Sequence, residues 1–119
     1  MTQTIYKILP AAHWQSLQKD RVLALQGVDL QDGYVHLSAA EQVAQTLAKH
    51  FAGQSDLVLL SVDTQALGDV LRWEASRGGA LFPHIYAPLR LEWVTQAVVL
   101  GHSGGENFLP DGWQQEELT

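Results

Sequence analysis

The chain is predicted to be a single α+β domain, with mostly antiparallel strands and its two main helices in the N-terminal half. Three observations predict this class. Helical periodicity is confined to the first half, whereas the second half is a series of strand-like segments separated by turns. The 119 residues, 46% hydrophobic, sit at the common size for one domain. There is no cysteine, so the core must hold without disulfides or thiolate metal staples.

The elements follow in order. Residues 5–9 (IYKIL) read as a short strand, and Pro10 suits the start of a helix to about Lys19 with Trp14 and Leu17 on one face. Residues 21–25 are weakly extended, and Asp32-Gly33 is a tight-turn signal before a strand at 34–37. Ser38 and Glu41 stand in the S-x-x-E arrangement of a capping box. Val43, Leu47 and Phe51 then recur every four residues, predicting a helix that Gly53 ends. Residues 57–63 (LVLLSVD) form a short apolar run, which predicts a central strand buried on both faces. Residues 70–74 alternate, with Leu71 and Trp73 facing the core and Val70, Arg72 and Glu74 facing away. Residues 76–80 (SRGGA) predict a loop. Residues 81–86 (LFPHIY) are extended, with Pro83 arguing against a central place in a sheet, and 94–100 form a further strand. The domain is expected over residues 1–103. Residues 104–119 look like a loosely packed acidic tail that Phe108, Leu109 and Trp113 can pin to the body.

Charge narrows the function. Seven Lys and Arg against thirteen Asp and Glu give a net charge of −6, and the basic residues are scattered along the chain. A DNA- or RNA-binding surface needs a basic patch, so a polynucleotide partner is disfavoured, although a pocket for one small phosphorylated molecule is not. No apolar run approaches the roughly 20 residues needed to span a bilayer, and the N-terminus lacks a secretory pattern, so a cytoplasmic protein is expected. The five histidines form no H-x-H, H-x-x-H or H-x-x-x-H pair, and no metal site is predicted.

Two short segments carry the candidate chemistry. In YVHLS, His36 and Ser38 are two apart and project to one side of a strand just before a helix N-terminus. Such a terminus favours phosphate or carboxylate. The plain alternative is that Ser38 is only a cap and His36 a structural histidine. In FPHIY, His84 and Tyr86 share a side with Phe82 and offer an imidazole, a phenol and an aromatic surface for a planar ring, or simply a core margin. Glu74, at a strand end beside SRGG, can stabilise positive charge or act as a base; alternatively it is solvated and paired with Arg72.

Taken together, YKIL, DGYVHLS, LRWEASRGG and FPHIYAPL, in that order, resemble a small bacterial family catalogued as domain of unknown function 952. The resemblance covers roughly residues 5–100 and implies an ADP-ribosyltransferase-like fold. It implies that His36 and Ser38 hold the ribose of NAD, that Tyr86 stacks on the nicotinamide, and that Glu74 stabilises the oxocarbenium ion. The related RNA 2′-phosphotransferases grip phosphates with arginines and histidines, for which Arg72, Arg77, Arg90 and His84 are the available residues here.

Two functions stay open at this point. One is an enzyme acting at the anomeric carbon of a nucleotide ribose, on NAD or an ADP-ribosylated or phosphorylated small molecule. Its catalytic residues would be Glu74 and His36, with Ser38, His84, Tyr86, Arg72 and Arg77 binding substrate. The other is a non-catalytic module that binds a nucleotide or small anion. A purely structural role is the third and least informative reading. The chain is expected to be a monomer or a weak homodimer.

Overall fold

In the computed structural model, which describes residues 3–114, every paired strand is antiparallel and the α-helices lie in the first half of the chain. Strand β1 (Thr4–Pro10) runs straight into helix α1 (Ala11–Asp20), with Pro10 as the last extended residue and the left-handed Arg21 closing the helix. The short strand β2 (Val22–Leu23), helix α2 (Gly27–Asp32) and strand β3 (Val35–His36) follow. Helix α3 (Val43–His50) is entered through a 3-10 turn at Ala40–Gln42. The remaining strands are β4 (Leu57–Asp63), β5 (Leu71–Ala75), β6 (Leu81–Ile85), β7 (Leu89–Arg90), β8 (Val94–Val99), β9 (Gly101–Ser103) and β10 (Glu106–Phe108). A Cα radius of gyration of 13.6 Å is what about 120 residues give as one compact domain.

The apolar run at 57–63 forms β4, which lies between β1 and β8, and its first six residues are buried. Both faces are covered because strand periodicity divides them. Val58, Leu60 and Val62 join Ile5, Leu9, Leu17, Val35 and Ile85 in one core. Leu57 and Leu59 join Tyr6, Ile8, Val43 and Leu47 in a second core beneath α3. Trp14 packs against the first core and Phe51 against the second, in keeping with the helix faces read from the sequence.

A second sheet has the order β3-β6-β5, and this overturns the expectation drawn from Pro83. Pro83 lies in the central strand. The sheet tolerates it because β3 pairs through only two residues, Val35 with Ile85 and His36 with His84. At the next position the Leu37 N–H donates to the Pro83 carbonyl at 3.1 Å, and no return bond is needed because the chain there is leaving β6. It leaves to pair with β1: Tyr6 and Ser38 exchange backbone hydrogen bonds of 2.8 Å in both directions. This bridge joins the two sheets by backbone hydrogen bonds.

The bridge also corrects the capping box. Ser38 is held extended by its pairing with Tyr6, so the helix starts one residue later. Gln42 Oε1 accepts from the Ala39 N–H at 2.9 Å, while Ser38 Oγ bonds Thr46 Oγ1 at 3.0 Å. Helix α2 was not anticipated. The residues at 27–32 lack an apolar face, with Val28 and Leu30 exposed and Asp29 buried, so periodicity misses it. Gly33, read as a turn, is its left-handed C-cap.

Of the segment read as an acidic tail, residues up to 114 are described. Glu106–Phe108 pairs back on Gly101–Ser103, Leu109 and Trp113 pack on the second core, and Trp113 meets the Tyr6 ring edge-on at 5.2 Å. Phe108 lies across Gly101 so closely that a Cβ there would sit 2.2 Å from its ring. Residues 115–119 lie outside the described region. No helix among the described residues is long and apolar enough to cross a membrane.

Candidate functional site

A cleft of about 610 Å³ opens where the two sheets meet. Tyr6, Lys7 and Ile8 of β1 form one wall, His36, Phe82 and His84 of the second sheet another, and α2 and α3 contribute the flanks. The volume falls in the range of small-molecule sites. Ser38 and Thr46 also line it, so two of the histidines and the serine singled out from the sequence face one space.

On one side of the cleft the polar groups are arranged around Asp29, whose side chain is 11% exposed. Its Oδ2 accepts from Lys7 Nζ at 2.9 Å. Its Oδ1 accepts from the His36 backbone N–H at 3.1 Å and from His36 Nδ1 at 2.6 Å. Lys7 Nζ also donates to the His36 carbonyl at 3.1 Å. The other ring nitrogen, Nε2, lies 3.0 Å from Asp32 Oδ2. His36 therefore sits between two carboxylates, and pairing both fully needs a proton on each ring nitrogen. Burial pushes the Asp29 carboxyl up, but the His36 hydrogen bonds and the Lys7 charge outweigh it and hold the group below the usual range.

On the other side, antiparallel pairing of β5 with β6 sets Glu74 near His84. Glu74 Oε1 accepts from His84 Nδ1 at 2.7 Å and from the Tyr86 hydroxyl at 2.7 Å. These two bonds, His84 first, lower the Glu74 pKa, and the same contact with Glu74 raises that of Tyr86. Tyr34 connects the two halves: its ring stacks on His84 at 4.1 Å, and lies 4.6 Å from His36 and 5.1 Å from Tyr86. Desolvation, reinforced by Asp32, Glu74 and Asp29, pushes the Tyr34 phenol up.

Residues 8–97 match the family described as "Protein of unknown function (DUF952)". The chain belongs to this family. The DUF952 chain is also similar to solved structures of protein CC0527 from Caulobacter crescentus. The X-ray structure is 48% identical, with a TM-score of 0.83 over 87% of this chain and 92% of that one. The solution NMR structure is 47% identical, with a TM-score of 0.78 over 87% and 90%. No curated protein is similar enough to count as a relative.

In this DUF952 protein the sequence-based site residues fall into two groups. His36, Ser38 and His84 line the cleft, whereas Glu74, Tyr86 and Arg72 stand outside its lining, behind His84. His84 and Tyr86 lie on one side, both bonded to Glu74 Oε1 and both near the Tyr34 ring, but of this face Phe82 and His84 line the cleft and Tyr86 does not. The Tyr86 N–H continues the β5–β6 register to the Val70 carbonyl at 2.8 Å, and its ring takes the Arg72 guanidinium at 5.0 Å. Arg90 pairs with Glu92 at 3.4 Å. The Arg77 backbone lies in a 3-10 turn, and its side chain lies outside the described region. The anion site expected at the helix start is also altered, because the Gln42 side chain already occupies the Ala39 N–H.

Sequence reasoning missed Lys7, Asp29 and Tyr34. Tyr34 was within reach, since the two-residue spacing that linked His36 with Ser38 extends back to it. Lys7 and Asp29 are 22 positions apart and carry no local signature. Among the described residues, no group of three or more His, Asp or Glu side chains is placed to hold a metal ion.

Proposed function

We propose that the chain acts on a nucleotide ribose in this cleft. The reaction is transfer or hydrolysis at the anomeric carbon, with NAD or an ADP-ribosylated or phosphorylated small molecule as substrate. The observation that carries the reading is the 2.7 Å bond from His84 Nδ1 to Glu74. A carboxylate only accepts, so Nδ1 holds a proton, and in the neutral form of the imidazole the lone pair is then on Nε2, on a ring that lines the cleft. In the reaction, Nε2 takes a proton from the attacking water or hydroxyl. The new C–O bond forms as the glycosidic electron pair leaves with the base, and the cleft carboxylates Asp29 and Asp32 offset the positive charge on the ribose. Glu74 is here a positioning residue rather than the group that meets the substrate. His36 and Ser38 bind, and Tyr86 supports Glu74.

The test compares wild type with Glu74→Gln, using calorimetric binding of ADP-ribose and release of nicotinamide from NAD. The expected result is near-equal binding with turnover lowered about 100-fold. Equal turnover in the two proteins would remove the catalytic assignment. A second reading, a binding module without chemistry, draws on a different observation: Lys7, both ring nitrogens of His36 and the Ser38 hydroxyl are all engaged within the chain. Saturable binding with no product from wild type would favour it.

A further inference from the structure

Asp29 and Asp32 both approach His36, but they are held very differently. Asp29 is 11% exposed and takes donors from Lys7 and from two nitrogens of His36, which fixes it. The Asp32 side chain is 39% exposed, and its hydrogen-bond partner among the described residues is His36 Nε2 at 3.0 Å. It is the last residue of α2, where a negative charge gains nothing from the helix, and the left-handed Gly33 follows it. His36 needs no rearrangement to meet a new acceptor, because Asp29 Oδ1 already orients its ring through Nδ1. Both Asp32 and His36 line the cleft, so whatever leaves Nε2 leaves it facing the ligand space.

We propose that Asp32 stands in for a ligand's acidic oxygen: the cleft takes a small organic anion, a carboxylate or a phosphate, that displaces Asp32 from His36 Nε2. This rests on the reading of the cleft as a small-molecule site and deepens it by naming the ligand group and the contact it must break. Asp32 then acts as an internal competitor that weakens every anion by the worth of its own bond to His36. It selects for ligands that bring further contacts along the cleft.

The experiment titrates inorganic phosphate and, separately, acetate into wild type, Asp32→Ala, Asp32→Asn and the double variant Asp32→Ala with His36→Gln. Affinity is followed by calorimetry in all four proteins, and the imidazole nitrogen signals of His36 locate the bound anion in the three that keep this residue. Removing a half-exposed competitor should tighten binding by up to about fivefold, ~1 kcal/mol. The gain should appear in both single variants and vanish in the double variant, with Nε2 rather than Nδ1 shifting. A gain for phosphate alone identifies a phosphorylated ligand, and a gain for acetate alone a carboxylate. No gain in either single variant overturns the proposal, as does a gain that survives loss of His36. The outcome is separable from the catalytic reading. Tighter anion binding in the Asp32 variants with no nicotinamide release by wild type leaves Asp32 as competitor and removes the enzyme, whereas turnover by wild type without any gain in the variants does the reverse.

Discussion

His84 Nδ1 lies 2.7 Å from Glu74 Oε1, which makes the buried histidine, 2% exposed, depend on a carboxylate that stands outside the cleft. The same oxygen holds the Tyr86 hydroxyl, so one glutamate organises two rings.

Tyr86→Phe removes one of the two bonds to Glu74 and leaves the other. If Glu74 acts by orienting His84, turnover should fall less than about tenfold, far less than in Glu74→Gln. Equal losses in the two variants would mean that Tyr86 itself meets the substrate. Steady-state kinetics with NAD distinguishes these results.

Asp29→Asn should be the most damaging single change near the site. Lys7 is 14% exposed and would be left without its counter-charge, and breaking a buried pair costs about 3 kcal/mol. Asp32→Ala, on the exposed end of the same network, should cost at most about 1 kcal/mol. Urea unfolding of the two variants tests the contrast, which fails if they are equally destabilised.

The response to pH has a defined sign on both sides. Asp29 and Glu74 titrate below their ordinary values in the folded chain, so the unfolded chain takes up protons first on acidification. Their stabilisation is complete above about pH 5 and is lost as pH falls through the folded values. Tyr34 and Tyr86 are shifted upward, so the folded chain keeps its phenol protons longer. That stabilisation is present below about pH 10 and fades as pH rises through the folded values. Urea midpoints across the range, with Tyr34→Phe losing part of the alkaline limb, provide the check.

The relocated cap predicts that Gln42→Ala is worse than Ser38→Ala. Gln42 accepts from the Ala39 N–H and donates to the Leu81 carbonyl at 2.8 Å, joining the start of α3 to β6. Its loss should cost about 1 to 2 kcal/mol. Ser38→Ala removes only the hydroxyl contact with Thr46, about 1 kcal/mol, because the backbone bridge to Tyr6 remains. Thermal unfolding of both variants measures the difference; the reverse order would restore Ser38 as the cap.

Much of the fold was legible in the chain because strand and helix periodicities are local. The run at 57–63 could only be a buried strand, and the four-residue spacing of Val43 and Leu47 could only place one helix face inward. His36, His84 and Glu74 were legible as chemistry-bearing types at strand positions, but not the bond that sets Glu74 behind His84, since that depends on the register of β5 against β6. Pro83 and Ser38 were misread for one reason: their surroundings are long-range. A proline fits a central strand only where its neighbour departs, and a serine cannot cap a helix while its backbone is paired to Tyr6. The sequence by itself therefore determined the fold class, the central strand buried on both faces and the residue types available to a site. Tertiary structure alone decided that Lys7 and Asp29 meet, that the Tyr34 ring meets both His36 and His84 and which carboxylates face the cleft, because those contacts follow from strand pairing across the chain rather than from spacing along it.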